Sequence, residues 1–169
     1  MVANNSLTLM DAGRIERSLK RIAYQIAESN RKDKPVVLLG INNRGSLVAE
    51  KLRIYLSAVY SNEVKRLALL VPRNDENRPA LSKAELENKF MVLVDDVIFT
   101  GKTMFEALEL LSRQVGIDEV HTVVLVDRGH RKLPIEAQFV GLNLPTKLNE
   151  HVSLITEGND ILEVQLTSE

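Results

Sequence analysis

The sequence predicts a doubly wound α/β domain with a mainly parallel sheet and a small C-terminal hood, spanning residues 1–169 as one domain. Short, wholly apolar runs at Val36–Leu39, Leu67–Val71, Phe90–Val94 and Val120–Val126 have the pattern of strands covered on both faces. Stretches with apolar residues at helical spacing lie between them, and such alternation implies parallel pairing through crossovers. After Val94 a polar string opens a helix at Thr-Gly-Lys-Thr, where open α/β sheets bind their ligands.

Taken in order, Asp11 is an expected N-cap, and Ile15, Leu19, Ile22 and Ile26 give a helix running to about Asn30. The strand from Val36 follows, then a loop over Gly40–Gly45. A second helix carries Leu47, Val48, Leu52 and Leu56 on its buried side. After the strand at Leu67–Val71 the chain turns polar and charged from Pro72 to Glu87, the pattern of a loop that is partly mobile. The strand at Phe90–Val94, a polar loop and a helix over Lys102–Val115 come next, then the strand ending at Val126. Beyond Asp127, Phe139–Leu142 is a short strand. Val152–Ile155 and Ile161–Leu166 make a hairpin about Gly158-Asn-Asp160, which supplies the hood.

Composition narrows the function classes. Hydrophobic residues at 44% can build a core over 169 residues. A formal charge of -1 leaves no global electrostatic footprint for nucleic acid or a membrane surface, so any polyanion site must be local. Without cysteine, disulfides and thiolate metal sites are excluded. Three tyrosines, four phenylalanines and no tryptophan leave little for stacking on bases. The start, Met-Val-Ala-Asn-Asn-Ser, lacks the layout of a secretory signal. No apolar run approaches the roughly 20 residues of a membrane span. The expectation is a cytoplasmic protein.

The chemistry concentrates in Met91-Val-Leu-Val-Asp-Asp-Val-Ile-Phe-Thr-Gly-Lys-Thr103. A helix that opens at Thr100–Thr103 presents amides without intrahelical partners, aided by its dipole, to an anion. Gly101 lets the backbone approach closely, and Thr100 and Thr103 add hydroxyl donors. A nucleotide-binding P-loop would need glycine five positions before Gly101, where Asp96 stands. Carboxylates make poor neighbours for a triphosphate but good acceptors for the vicinal hydroxyls of a ribose. Asp95, Asp96 and the following turn thus suit a sugar phosphate, with an ordinary capping cluster on a βα turn as the structural alternative.

This string resembles the phosphoribosyl pyrophosphate motif of type I phosphoribosyltransferases. The resemblance implies that family's fold. It implies that Asp95 and Asp96 hold the ribose hydroxyls, and that the loop through Val97, Ile98, Phe99, Thr100, Gly101, Lys102 and Thr103 surrounds the sugar and its 5-phosphate. It further implies Mg2+ bridging ribose and pyrophosphate, contacted by Asp95 directly or through water. Asn43, Arg44 and Gly45 fall where the family places its pyrophosphate loop; the Arg44 fork suits a leaving phosphate, and a surface arginine in a turn is the alternative.

A second string, Val123-Val-Leu-Val-Asp-Arg-Gly-His-Arg-Lys-Leu-Pro-Ile135 with Phe139-Val-Gly-Leu-Asn-Leu-Pro-Thr146, resembles the bacterial pyrimidine operon attenuator proteins. Members of that family bind attenuator RNA and carry uracil phosphoribosyltransferase activity. The likeness reaches back through the Gly40–Gly45 segment to Lys20-Arg-Ile-Ala23, and it implies a homodimer or larger homo-oligomer. Residues Asp127 to Arg131, Asp127 and Arg128 first among them, lie at the end of the strand Val120–Val126 and are expected to face the base side of the cleft, with His130 a candidate for proton transfer or a solvated loop residue. Phe99 leans toward a pyrimidine, because an apolar ring cannot act as the acid or base that the 6-oxopurine members carry there. The segment between Leu67 and Phe90 is shorter than in those relatives and lacks their Tyr-Arg-Asp-Asp string, with Arg73 and Arg78 as candidate substitutes.

Two function classes stay open at this stage. One is an enzyme that joins a nucleobase, uracil in the first instance, to phosphoribosyl pyrophosphate. The other is an RNA-binding regulator that senses nucleotides with little catalysis. Arg14, Arg17 and Arg21 form a basic face on the first helix, as any solvated amphipathic helix also can. Lys20, Tyr24 and His151 replace the Thr, His and Lys of the relatives' RNA surface, so attenuation is expected to be weak.

Overall fold

The computed structural model describes residues 6–71 and 81–168. Strand β1 (Ser6–Asp11) leads without a loop into helix α1 (Ala12–Ser29). Asp11 is both the last strand residue and the N-cap: its carboxylate accepts the Arg14 amide at 2.7 Å. Such a cap contributes about 1 kcal/mol. Ile15, Leu19, Ile22, Ala23 and Ile26 form the buried face of α1, as their spacing predicts.

Strand β2 (Val36–Ile41) passes directly into helix α2 (Asn42–Val59), which leads to strand β3 (Val64–Leu69). A single-turn helix α3 (Lys83–Leu86) precedes strand β4 (Phe90–Ile98), helix α4 (Lys102–Val115), strand β5 (His121–Asp127) and strand β6 (Phe139–Asn143). These strands form a five-stranded sheet in the order β3-β2-β4-β5-β6, parallel throughout. The chain steps one way from β2 to β3 and the other way to β4. The crevice between the carboxyl ends of β2 and β4 is therefore the topological switch point, where ligands bind in such sheets.

Alternation along the strands divides the core in two. Val36, Leu38, Val92, Val94, Val123 and Leu125 pack against α1 and α2. Val37, Leu39, Met91, Leu93 and Val124 pack against α4 and Leu86 of α3. Helices on both faces explain why the central strands read as unbroken apolar runs. Each such side chain, fully buried, contributes roughly 1.5–3 kcal/mol.

Strands β7 (Glu150–Glu157) and β8 (Asp160–Ser168) form the expected hairpin. The hood also takes in the chain's start, because β1 pairs antiparallel with β8 to give the order β1-β8-β7. Lys51 of α2 holds it to the body through Asp160 at 2.9 Å.

Three expectations about segments need correction. Gly40–Gly45 is not a loop, since the β2 strand bonds directly on to the first turn of α2 at Asn42, which adopts a positive φ of 53°. Strand β4 does not end at Val94 but carries Asp95 and Asp96 within it. Strand β3 begins at Val64, not Leu67, because an edge strand tolerates Lys65 and Arg66, which pair with Glu85 and Glu50. Arg73 and Arg78 lie outside the described residues. Among the described residues no helix is long and apolar enough to cross a membrane.

Candidate active site

The crevice is built by close approach of α2 to β4. A Cβ on Gly45 would stand 2.6 Å from the Val94 carbonyl oxygen and 3.2 Å from a carboxylate oxygen of Asp95. Only glycine lets the first turn of α2 lie this near the strand. Asn43 and Arg44 are exposed beside it, and the Arg44 guanidinium faces Asp96 at 3.9 Å. That separation, with Arg44 more than half exposed, is a loose and solvent-screened pairing. It leaves the guanidinium available to an anion. Asn42 ties the turn to the end of the neighbouring segment by accepting the Val71 amide at 3.0 Å.

Asp95 and Asp96 are both half-buried at the carboxyl end of β4. Asp95 accepts the backbone amide of Asp96 at 2.9 Å. Burial first, and the neighbouring Asp96 charge second, push the Asp95 carboxyl up to about 8. Two acidic groups are thus held close in a pocket that favours a cation or a hydroxyl donor between them. Val97 is half-buried and Ile98 buried beneath them.

The turn from Phe99 to Thr103 follows. Gly101 has a φ of 85° and caps α4, whose first turn has no side-chain cap. Thr100 accepts the Lys102 amide on its hydroxyl at 3.3 Å, while Thr103 and Lys102 are exposed at the helix start. Amides at an uncapped helix N-terminus, with two threonine hydroxyls nearby, provide an anion cradle. The Lys102 ammonium lies 3.8 Å from Glu106 and is largely exposed, a loose pairing like that of Arg44 which leaves it available beside the cradle.

At the carboxyl end of β5, both carboxylate oxygens of Asp127 are engaged, one by the Gly129 amide at 2.9 Å and the other by Arg131 at 2.6 Å. Arg128 is buried, and its guanidinium donates to the Thr146 hydroxyl at 2.9 Å and to the carbonyls of Lys147 and Glu150. It also lies 4.0 Å from the centre of the Phe99 ring, a cation–π contact. Burial pulls its pKa below the ordinary value, with Glu150 acting in the opposite sense, yet an arginine stays charged. His130, exposed at the turn, meets the same ring edge-on and bonds the Thr146 carbonyl.

The fold therefore gathers Asn43, Arg44, Gly45, Asp95, Asp96 and the Phe99–Thr103 turn around one crevice. Asp127 and Arg128 stand at the carboxyl end of the adjoining strand β5, held by contacts within the chain. The sequence set Arg131 on the base side as the end of the Asp127–Arg131 string, but gave no sign of its link to the phosphate turn: its guanidinium meets four groups of this region, the Phe99 carbonyl among them. Its i,i+4 spacing from Asp127 was a signal for their ion pair alone. The basic face of α1 is also partly committed: Arg14 donates to the Leu9 carbonyl, and Arg21 to the carbonyls of Val140 and Gly141. A groove of about 930 Å3, bordered by Lys34, Phe90 and His121, opens at the opposite, amino-terminal end of the strands, remote from this crevice.

Comparison with known proteins shows the family to which the chain belongs. Residues 6–153 match the phosphoribosyl transferase domain family. The chain belongs to the phosphoribosyltransferases and is a pentosyltransferase. Within them its similarity runs to proteins named Bifunctional protein PyrR. It is 38% identical to that of Clostridium novyi over 162 positions, covering 90% of this chain and 91% of the relative. It is 34% identical to that of Pediococcus pentosaceus over 172 positions, covering 94% and 96%. Solved structures share the fold at lower identity. The HGPRT-ase of Leishmania tarentolae in complex with GMP aligns at a TM-score of 0.75 and 17% identity, covering 97% of this chain and 98% of that one. The hypoxanthine phosphoribosyltransferase of Trypanosoma cruzi in complex with IMP aligns at 0.74 and 20%, covering 95% and 90%.

Proposed function

We propose that this chain, acting as a single domain, transfers the phosphoribosyl group of phosphoribosyl pyrophosphate to uracil, giving UMP and pyrophosphate. The observation that carries the reading is the acidic pair at the end of β4, set between the Arg44 guanidinium and the uncapped start of α4. In this reading the 5-phosphate occupies the Thr100–Thr103 turn, and Asp95 and Asp96 hold the ribose hydroxyls. Arg44, with the Asn43 and Gly45 backbone, receives the pyrophosphate. Val97 and Ile98 support the sugar from below.

Breaking the bond between the anomeric carbon and pyrophosphate leaves positive charge on the ribose. Asp96, with Asp95 once a cation beside it offsets the burial that raises its pKa, stabilises that charge, and Arg44 stabilises the leaving group. The donor set suits Mg2+: it binds through one or two carboxylates and keeps water and substrate oxygens as its other ligands. Asp95, directly or through water, would hold it, and the ion would neutralise charge on the pyrophosphate.

Phe99 carries the base assignment. Its ring is pinned by Arg128 and His130 and offers no proton to a purine. Asp127 and Arg128 contribute by holding the base side of the crevice, and the active form is a homo-oligomer, as in the resembling family. A panel of uracil, hypoxanthine, guanine and orotate with phosphoribosyl pyrophosphate and Mg2+ tests the reading. Uracil should give the highest kcat/KM; preference for a 6-oxopurine would overturn the pyrimidine assignment and leave the fold unaffected.

A further inference from the structure

The phosphate turn is gripped from behind. The Phe99 carbonyl accepts from Arg131 at 2.9 Å. The Thr100 carbonyl accepts the backbone amides of Lys132 at 2.9 Å and Leu133 at 3.2 Å. In a trans peptide the carbonyl and the next amide point in opposite directions. Drawing the Phe99 carbonyl toward Arg131 therefore turns the Thr100 amide away from the 129–135 segment. Drawing the Thr100 carbonyl toward Lys132 and Leu133 does the same for the Gly101 amide. Carbonyl oxygens that would repel an anion are removed from the cradle, and amides that attract one are aimed into it.

Arg131 is itself held rigidly. Its Nε donates to the Ile135 carbonyl at 2.7 Å, one terminal nitrogen is shared between the carbonyls of Phe99 and Gly129, and the other meets Asp127 at 2.6 Å. These acceptors lie in several directions at once, which a planar fork can serve and a lysine ammonium on a flexible stem cannot. The base of its side chain also closes the space beside Gly101: a Cβ there would be 3.5 Å from the Arg131 Cδ and 3.3 Å from the Ile135 Cβ.

From this geometry we propose that Arg131, oriented by Asp127, is a positioning residue that aims the amides of the phosphate turn at the 5-phosphate. The inference rests on the assignment of that turn as the 5-phosphate site. It acts through the backbone, so Arg131 touches no reacting atom. Its loss should affect ligands that carry a 5-phosphate and spare the pyrophosphate end of the crevice, which is built from α2.

The test is calorimetry on the full chain with ribose 5-phosphate, UMP and pyrophosphate, on wild type, Arg131→Ala and Thr103→Val. Arg131→Ala should weaken ribose 5-phosphate and UMP about tenfold or more, leave pyrophosphate binding within about twofold, and raise KM for phosphoribosyl pyrophosphate more than it lowers kcat. Millimolar guanidinium should restore part of the ribose 5-phosphate affinity, and methylammonium should not. If Arg131→Ala does not fold, Arg131→Lys carries the same comparison with a smaller loss. Wild-type ribose 5-phosphate affinity in a folded Arg131 variant, or equal weakening of pyrophosphate, would overturn the proposal. In the first case Thr103→Val separates the causes. If it loses ribose 5-phosphate, the phosphate assignment stands and only the role of Arg131 falls; if it too binds normally, the assignment falls with it.

Discussion

Gly45→Ala isolates the close approach on which the crevice depends. The added methyl carbon would stand 2.6 Å from the Val94 carbonyl oxygen, well inside ordinary van der Waals separation. Val94 cannot yield easily, because β4 is paired with β2 on one side and β5 on the other. The start of α2 must therefore move. Overpacking of this kind costs about 1–3 kcal/mol, and replacing a helical glycine with alanine returns roughly 0.5–1 kcal/mol of it. A net loss of about 1–2 kcal/mol should lower Tm by roughly 2–8 °C in a domain of this size. The catalytic effect should be larger than the stability effect. Movement of α2 shifts Arg44 and presses on the Asp95 carboxylate, 3.2 Å from the same methyl, and a misplacement of about 1 Å can cost on the order of a hundredfold in rate. Differential scanning fluorimetry and steady-state turnover with phosphoribosyl pyrophosphate and uracil measure the two effects. Gly13→Ala is the control, since its methyl would meet only side-chain atoms of Arg17 and Asp11 and should be neutral or mildly stabilising. Wild-type Tm together with wild-type kcat/KM in Gly45→Ala would show that the approach of α2 to β4 does not limit the site.

Three further outcomes are expected. Thr103→Val, an exposed position that spares the core, should weaken phosphoribosyl pyrophosphate and UMP alike by about ten- to a hundredfold in calorimetry, because the two share the 5-phosphate. Asp95 has a folded pKa of about 8 against an ordinary value of 3.8, so its contribution is fully present below about pH 4 and is lost as pH rises through 8. Metal-free Asp95→Asn should therefore gain Tm relative to wild type as pH increases from 6 to 9, and a constant difference across that range would contradict the buried, raised carboxyl. Binding of a pyrimidine-operon leader hairpin, with UMP present, should be weak at physiological salt, since Arg14 and Arg21 are already spent on backbone carbonyls. Arg17→Ala is the cleaner probe of that face, and tight hairpin-specific binding lost in that variant would prove the expectation wrong.

Much of the architecture was legible because it is written locally. Helices α1 and α4 follow from apolar residues at three- and four-residue spacing, and α4 runs from Lys102 to Val115 as its sequence suggests. Strands β2 and β5 stood out because both faces are covered. Strand β1 carried no such signature. Ser6, Leu7 and Thr8 are exposed, and the segment is a strand because β8, more than 150 residues away, offers it an edge. The boundary of β4 was misjudged for a related reason. Carboxylates disfavour strand interiors in general, but here the ladder to β5 continues past Asp95 to Ile98.

For the site, the residue string from Asp95 to Thr103 by itself determined the chemistry: paired acceptors, then a glycine-led helix start for an anion. The direction in which those groups act was decided only by the tertiary structure. The contact of Gly45 with Val94, the setting of Arg44 beside Asp96, and the reach of Arg131 across 32 positions to Phe99 all join residues far apart in sequence. A donor or carboxylate type can be read from a string of letters. The aim of a peptide amide or the pKa of a carboxyl depends on what packs behind it, and that is set by burial and neighbours that only the folded chain brings together.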